Sequence, residues 1–139
     1  MNKRTISLLI FCLVLFACSV QEKRIAGIIL PSSSIIWRDA KTWRLTIEDI
    51  NEAEPIITSY IKKQNYKIYS NLHNYRCQYF GIYNDGKKRI FCNFFHIEEN
   101  IQDWKINPVL VFDGGDRYFS LEYDVESKKC LYFEVNGEA

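Results

Sequence analysis

The most suggestive polar residues of this sequence lie in the stretch Asp-Gly-Gly-Asp, residues 113 to 116. Two carboxylates this close together could give oxygen ligands to a calcium ion or form an acid/base pair. A calcium loop needs several oxygens at staggered positions, and no third carboxylate follows nearby. Turn chemistry explains all four residues, because glycine accepts positive φ and aspartate favours turns. We therefore predict a hairpin turn and keep Asp113 and Asp116 as candidate binding residues.

Thiol and imidazole side chains could together supply a nucleophile and a base. Cys77 and Cys92 lie in an aromatic-rich stretch that ends at His96, whereas His73 stands in a polar connection. A catalytic pair also needs an orienting group, which the sequence does not identify. The chain has no zinc-type Cys/His spacing, nucleotide-binding loop or hydrolase motif. The sequence therefore indicates no catalytic residue, no metal site and no cofactor.

Aromatic residues make up 15% of the chain and supply a third kind of candidate. Trp37, Trp43 and Trp104 lie outside the clearest strand patterns. A tryptophan on a loop either covers the edge of a core or joins an exposed patch that binds a partner. Trp104 lies on a loop between two predicted hairpins and is the first candidate for contact with a partner.

The first twenty residues have the pattern of a secretory leader. Met1 to Arg4 include two basic residues, and the run from Ile6 to Ala17 carries no charge. The uncharged run is shorter than the ~20 residues that a helix needs to cross a bilayer. An uncleaved tilted anchor and an ordinary secretory leader cut elsewhere are the two alternatives.

The leader ends in Leu15-Phe16-Ala17-Cys18, which resembles the lipobox of bacterial lipoproteins. Phe16 departs from the family, which usually has a small residue there. The resemblance implies cleavage before Cys18, a diacylglycerol on its thiol and acylation of the new amine. Several acyl chains hold a protein stably on a membrane. By the enterobacterial sorting rule, Ser19 implies the outer membrane, at its periplasmic face or the cell surface, rather than the inner membrane.

The sequence divides into a leader at 1–17, a polar tether at 18–24 and a single domain at 25–139. That length supports one core and not two. The net charge of +1 becomes slightly negative once Lys3 and Arg4 leave with the leader, and a near-neutral domain is poorly suited to nucleic acid. Besides Cys18 the mature chain keeps an odd number of cysteines, which does not suggest a disulfide framework.

Residues 46–64 are predicted to form the main helix. Thr46 with Asp49 three residues later is typical of a capping box, and two lysines place positive charge at the other end. Pro55 lies in the middle, where a proline bends a helix or splits it in two, and we expect one helix with a bend. One apolar face recurs at helical spacing and consists of Ile47, Ile50, Ala53, Ile57, Tyr60 and Ile61.

The second half of the chain has aromatic and β-branched residues with regular turns, which predict antiparallel strands. Asp85-Gly86 separates two apolar runs and predicts a tight hairpin, with Tyr79 facing Cys92 and Cys77 facing Phe94. The two cysteines then lie diagonally on one face, too far apart for a disulfide without a shift. We expect both to be buried as small apolar residues.

Two further hairpins are predicted in the last third of the chain. Gly114-Gly115 forms the turn of the first, because both residues can take positive φ. A three-residue loop at 126–128 forms the turn of the second and pairs Leu121 with Phe133, so that the apolar residues share one face. Cys130 then lies on the more polar face of the sheet.

These elements predict an α+β fold, with one helix packed on a curled antiparallel sheet of about four to five strands. A short strand in the run Ile25–Leu30 precedes the helix. The order of strand, helix and meander resembles the cystatin-like arrangement. That resemblance suggests an inhibitor, although Gln78–Gly81, similar to the glutamine–glycine loop of cystatins, falls inside a predicted strand.

The leading hypothesis is a lipid-anchored module of the cell envelope without catalytic activity. Such a module is attached to the membrane through the lipid on Cys18. It binds an envelope protein or polymer through the aromatic residues of its sheet and loops. One alternative is a small inhibitor of an envelope hydrolase. The other is a thiol- or metal-dependent enzyme that uses Cys77, Cys92 or His96.

Overall fold

The computed structural model describes residues 25–31, 34 and 41–137. Cys18, on which the lipid-anchor prediction depends, and Trp37 lie outside the described residues, as do the leader and the tether. The helices are α1 (Ile47–Gln64) and α2 (Tyr66–Ser70). The strands are β1 (Ala26–Ile29), β2 (Tyr75–Asn84), β3 (Lys87–His96), β4 (Tyr118–Asp124) and β5 (Lys129–Val135). Short 3-10 turns lie at Leu72–Asn74, Ile97–Glu99 and Gly115–Arg117.

The five strands form one open sheet in which they follow the order of the chain. Strands β2 to β5 are antiparallel neighbours, whereas β1 runs parallel to β2, a pairing that the antiparallel prediction missed. The parallel pair arises because α1 lies between β1 and β2 and returns the chain to the end of the sheet from which β1 began. The predicted α+β class, with one main helix on a mostly antiparallel sheet, is confirmed.

Helix α1 begins at the predicted capping box. The Thr46 hydroxyl accepts a hydrogen bond from the Asp49 amide, and the Asp49 carboxylate accepts one from the Thr46 amide at 2.9 Å. The helix continues through Pro55, so the predicted alternative of two separate helices is wrong. Ile47 was assigned to the buried face but is 58% exposed. The buried row contains Ile50, Ala53, Ile57 and Ile61.

One face of the sheet, the helix face, packs against this row. The rings of Phe94 and Phe119 stack at 4.3 Å between centroids in the middle of it, and Tyr60 of α1 meets Phe133 of β5 edge-on. Burying each large apolar side chain contributes about 1.5–3 kcal/mol. Strands β2 to β4 give the core Tyr75, Cys77, Tyr79, Ile90, Cys92, Phe94, Phe119, Leu121 and Tyr123.

The first hairpin has the predicted turn and register. Asp85 and Gly86 both have positive φ, as a type I′ turn requires, and Tyr79 pairs with Cys92. Cys77 pairs with Phe94, so the two thiols are diagonal. Both are free and completely buried, as predicted.

The last hairpin follows the predicted register only at the end far from its turn. Phe119 pairs with Val135 as expected, but a β-bulge shifts the pairing by one residue towards the turn, where Tyr123 pairs with Cys130. Tyr132 has φ of +56° in this region, as a residue of a bulge can. Cys130 therefore lies on the helix face and is buried, so its predicted place on the more polar face is wrong.

The middle hairpin, predicted around Gly114-Gly115, does not form. Both glycines have positive φ as expected, but they lead into the 3-10 turn Gly115–Arg117. Strand β4 already has β3 and β5 as its neighbours, so the chain before Gly114 has no free edge of β4 to pair with. Residues 108–113 belong to none of the five strands.

Trp43 covers the end of the helix face near the first hairpin. Its indole N–H donates to the carbonyls of Ile82 and Arg89, both at 3.0 Å, and Lys88 lies 4.5 Å above its ring. A Cβ at Gly81 would come within 2.5 Å of the Trp43 carbonyl, so only glycine permits this approach. Trp43 is therefore a lid on the core, one of the two roles that its place in the sequence allowed.

The opposite face of the sheet, the outer face, is crossed by the loop at 101–112. Phe91, Asn93 and Phe95 point from β3 into this face, and Tyr118 and Ser120 point there from β4, since residues paired across antiparallel strands share a face. The loop is held close to these side chains. The outer face therefore contains both the sequence candidate Trp104 and the largest apolar cavity described below.

Candidate functional site

Two side-chain amides, the amide clip, fasten the crossing loop to the outer face. Gln78 and Asn93 are directly opposite each other on β2 and β3. The Gln78 amide donates to the carbonyls of Trp104 and Asn107, at 2.5 and 2.8 Å, and its oxygen accepts from the Val109 amide at 2.8 Å. Asn93 donates to the oxygen of Gln78 and to the Val109 carbonyl. Gln78 is fully buried, so the protein itself supplies all of these bonds.

A third amide continues this pattern along the chain. Asn136, just after β5, donates to the carbonyls of Val111 and Asp113, at 2.6 and 3.1 Å. The carbonyls of three alternate residues, 109, 111 and 113, are therefore bound by asparagine side chains. Side-chain amides here occupy the place that a neighbouring strand would take.

The side chains of the segment Val109–Phe112 alternate in exposure. Val109 is buried and Val111 is half-buried, whereas Leu110 is 51% exposed and Phe112 is 94% exposed. Alternation with a period of two is the property of a strand that lies on a core. The segment therefore has the side-chain alternation of a strand although it belongs to none of the five strands.

An apolar groove opens between this segment and the outer face, with a volume of about 320 Å³. Small-molecule sites begin at ~300 Å³, so the groove suits one or two apolar side chains of a partner better than a large cofactor. Its polar groups come from Asn93, Ser120 and Asn136. Its apolar lining consists of Phe91, Val109, Leu110, Val111, Phe112 and Tyr118.

Trp104 supports the groove and does not line it. It joins the apolar cluster of Phe95, Val109 and Tyr118, and its ring meets Phe95 edge-on at 5.7 Å. The Arg76 guanidinium lies 5.0 Å from the centre of the indole ring. Trp104 is therefore a half-buried part of the loop that packs on the outer face, and its contact with a partner stays a prediction.

The rim of the groove carries negative charge. Asp113 follows Phe112 and is exposed, and Glu134 is exposed directly opposite Ser120 on the outer face. Neither carboxylate forms an ion pair with another described residue. A ligand with a cation beside its apolar part therefore complements this rim.

Tyr118 is the titratable side chain that lines the groove. Burial, helped by a hydrogen bond of 2.9 Å from its hydroxyl to Glu99, raises the pKa of Tyr118 to about 12. The phenol therefore stays protonated at neutral pH. It serves as a neutral wall and a hydrogen-bond donor.

Asp116 belongs to a separate polar cavity of about 280 Å³. Its carboxylate pairs with Lys67 at 2.7 Å, and this bond holds the pKa of Asp116 below its ordinary value. Its carbonyl accepts a hydrogen bond from the Tyr75 hydroxyl at 2.7 Å. Asp113 is not among the residues that line this cavity, so the two aspartates of the predicted turn do not form one site. No three His, Cys, Asp or Glu side chains of the described part of the chain are grouped to hold a metal ion.

The structure does not bring the candidate thiol and imidazole together. Cys92 and His96 are four residues apart on β3, which is roughly 13 Å along a strand. Burial raises the pKa of the Cys92 thiol well above its ordinary value, so the thiolate is disfavoured. The Nδ1 atom of His96 accepts instead from the Glu98 amide at 3.3 Å. His73 lies exposed in the 3-10 turn Leu72–Asn74.

Sequence reasoning missed most of the groove. Its walls come from Phe91 and Ser120 on two strands and from Asn136 beyond the last strand, residues that no local motif connects. Gln78–Gly81 lies within β2, as predicted, and is buried, so it offers no exposed loop of the inhibitor type. The apolar run Val109–Phe112 was predicted as one strand of a hairpin and not as part of a site.

No protein-family model, no curated protein and no solved structure matches this chain. Within the described residues, no helix has both the length and the apolar character needed to cross a membrane. The groove, the polar cavity and the amino-terminal sequence are therefore the basis for a functional proposal.

Proposed function

We propose that this protein is a lipid-anchored lipoprotein of the bacterial cell envelope whose domain is a non-catalytic binding module. Acyl chains on Cys18 hold it on a membrane, and the apolar groove binds a partner in the envelope. The observation that carries the binding role is the groove of about 320 Å³ beside Leu110 and Phe112, which are 51% and 94% exposed. The observation behind the anchor is the lipobox-like sequence Leu15 to Cys18.

The exposed side chains of the groove support a binding role on energetic grounds. An apolar side chain in water gains about 25 cal/mol for each Å² that a partner covers. Contiguous exposed apolar surface with a polar rim is typical of interaction sites. Phe112 and Leu110 stand beside a cavity, so a partner can cover the two side chains and fill the cavity at the same time.

The amide clip makes the groove ready for binding. Gln78 and Asn93 fix the loop to the sheet through hydrogen bonds that are already made in the free protein. A partner therefore does not have to order the loop, and less free energy is lost on association. Phe91 and Tyr118 supply the walls, Ser120 can bond a polar group of the partner, and Asp113 stands at the rim.

A groove-filling variant tests the binding role. Ser120→Phe places a ring in the cavity, while Ser59→Phe adds the same ring on the exposed side of α1 as a matched control. A photo-crosslinking amino acid at position 112 in living cells should capture a partner band in the wild type and with Ser59→Phe. The band should disappear with Ser120→Phe. Equal capture by all three proteins would remove the groove as the binding site.

Mass spectrometry of the natively produced protein tests the anchor. We expect the chain to start at Cys18 with a mass increase that corresponds to diacylglycerol and an acyl group. Cys18→Ser should move the protein from the membrane fraction to the soluble fraction. An intact Met1 with an unmodified Cys18 would disprove the anchoring.

A further inference from the structure

We propose that Val109–Phe112 is an open strand edge, to which a partner polypeptide adds as an extended strand with a basic residue beside an apolar one. This inference rests on the proposed binding function and names the class of partner. Besides the apolar groove, the backbone of the segment points to this class of partner.

The backbone of this segment is used on one side only. The carbonyls of Val109, Val111 and Asp113 accept hydrogen bonds from side-chain amides. In an extended chain the N–H and C=O groups of successive residues point to opposite sides. The groups of Leu110 therefore point away from the amides, and within the described part of the chain the backbone groups of Leu110 and Phe112 form no hydrogen bond.

Within residues 25–31, 34 and 41–137, no strand pairs with this edge. Strand β4 is paired with β3 and β5, and both sides of β3 are paired as well. The Val109–Phe112 segment lies above the outer face, so it cannot join the sheet that it covers. The unpaired donors and acceptors of Leu110 and Phe112 are complementary to an extended polypeptide backbone, which is the basis of strand addition.

The groove and the rim define the side chains that such a strand should carry. Alternate residues of an added strand point the same way, so one or two of them can pack against the exposed side chains of Leu110 and Phe112, which line the cavity of about 320 Å³. Asp113 and Glu134 stand at the rim without an ion-pair partner in the described residues. A lysine or arginine next to the apolar anchor therefore complements the site in charge.

The free edge of the segment is short, and this limits the affinity of the interaction. Pro108 precedes the segment and has no N–H, and the chain bends after Val111, so only Leu110 and Phe112 present free backbone groups. Each hydrogen bond contributes about 0.5–1.5 kcal/mol, so the apolar anchor must supply much of the affinity. We expect a reversible interaction with one short segment.

The test selects peptides and then removes the edge. Random heptapeptides displayed on phage are selected against the full chain, and the most enriched peptide is labelled for fluorescence anisotropy. We expect enriched peptides to alternate apolar residues and to carry lysine or arginine. Leu110→Pro should weaken binding about tenfold, because it removes a free N–H and fixes the backbone. Leu110→Ala keeps the N–H and is the matched control, with a smaller loss.

Leu110→Pro leaves the internal hydrogen bonds of the loop in place, since the Leu110 amide forms none. Circular dichroism checks that the variant is folded. If it is not, amide exchange of the wild type gives a second measurement, in which the peptide should slow exchange at Leu110 and Phe112. A peptide methylated on alternate backbone nitrogens should lose this protection.

Charge reversal completes the test. Glu134→Lys should shift the selection from basic towards acidic peptides. Strand addition is wrong if no peptide family is enriched, if Leu110→Pro binds as well as Leu110→Ala, or if exchange at the edge does not change. Loss of binding with Ser120→Phe but not with Leu110→Pro would keep the groove as a binding site and overturn strand addition alone.

Discussion

At the scale of single residues, the buried amide of Gln78 is the side chain on which the groove most depends. It joins β2 to three backbone groups of the crossing loop, those of Trp104, Asn107 and Val109. If the Gln78 amide is removed, these backbone groups stay buried without hydrogen-bond partners, and this lowers the free energy of unfolding. Such orphaned groups are more expensive than the net gain from the bonds themselves.

Gln78→Leu should therefore lower the free energy of unfolding by about 2–4 kcal/mol, although it keeps the volume and adds apolar character. Urea unfolding followed by fluorescence measures the change. Gln102→Leu, the same substitution at an exposed position of the loop, should stay within about 0.5 kcal/mol of the wild type. Equal effects at the two positions would mean that the clip does not hold the loop.

Asp124 illustrates how one buried carboxylate couples stability to pH. The Ser127 amide donates to it at 2.9 Å, and Arg89 lies 3.4 Å away with both side chains buried. The hydrogen bond from Ser127 and the nearby guanidinium hold the pKa of Asp124 below its ordinary value. The folded protein therefore binds fewer protons than the unfolded chain between the two pKa values.

This stabilisation is present above the unfolded pKa, about 3.9, and is lost as the pH falls through the folded pKa. We expect the wild-type free energy of unfolding to decline below about pH 4. Asp124→Asn should be less stable at pH 7 by about 3 kcal/mol, because it leaves Arg89 buried without its ion pair, and its decline in acid should be shallower. Unfolding curves between pH 2 and pH 7, with Asp103→Asn as an exposed control, measure both effects. A parallel decline in all three proteins would exclude Asp124 as the source.

At the scale of elements, the sequence was informative where a few neighbouring residues decide the structure. The Asp85-Gly86 turn sets its own register because both residues accept positive φ, and the capping box of α1 is complete within four residues. The last hairpin failed near its turn because the bulge at Tyr132 shifts the pairing. That shift depends on the packing of β5 against α1 and on its pairing with β4. A local sequence pattern does not contain this information.

The middle hairpin failed for a different physical reason. The residues at 109–112 are all apolar, as in a buried strand, but the carbonyls of Val109 and Val111 bond to Asn93 and Asn136, which come from distant parts of the chain. A local sequence pattern predicts which side chains point inwards, but it cannot identify the groups that hydrogen-bond to the backbone. The sequence named Asp113, which follows Phe112 of the groove, as a candidate, and it named none of the residues that form the groove walls. The binding role of Asp113 stays a prediction.

Helix α1 offers a prediction at this scale, since it contains Pro55 on an exposed position without being interrupted. Proline lacks the N–H that would bond to the carbonyl four residues earlier and crowds that carbonyl. Pro55→Ala should restore this bond and raise the free energy of unfolding by about 1–3 kcal/mol. Thr46→Ala at the cap should lower the free energy of unfolding by about 1 kcal/mol. Such a loss would show that the stability of α1 contributes to the stability of the domain. A Pro55→Ala protein no more stable than the wild type would show that the fold has already compensated for the proline.

At the scale of the whole molecule, the two faces of the sheet have separate roles. The helix face is closed by α1 and Trp43, and it encloses three free cysteines in its core. On the outer face, a loop that side-chain amides fasten in place covers part of the sheet and leaves the groove open beside it. A site of this kind is assembled from β3, β4, the loop and the residue after β5, so it exists only once the complete sheet has formed.

The cysteines of the helix face provide a probe of the complete fold. Cys77 and Cys92 are fully buried, and burial raises the pKa of Cys130 to about 12. Because the thiolate is the nucleophile that attacks an alkylating reagent, these side chains should react in native buffer only when the domain opens. The three thiols should therefore label together, at a rate that rises with urea as global unfolding does.

Mass spectrometry after timed alkylation with iodoacetamide measures this rate for each peptide. If opening is global, Gln78→Leu should accelerate labelling of all three cysteines. The labelling rate should rise about tenfold for each 1.4 kcal/mol that the variant loses in free energy of unfolding. The exposed-site variant Gln102→Leu should label as slowly as the wild type. Rapid modification of one cysteine alone in native buffer would mean that the sheet opens locally at that strand, and β5, an edge strand with a bulge, is where such opening would then be expected.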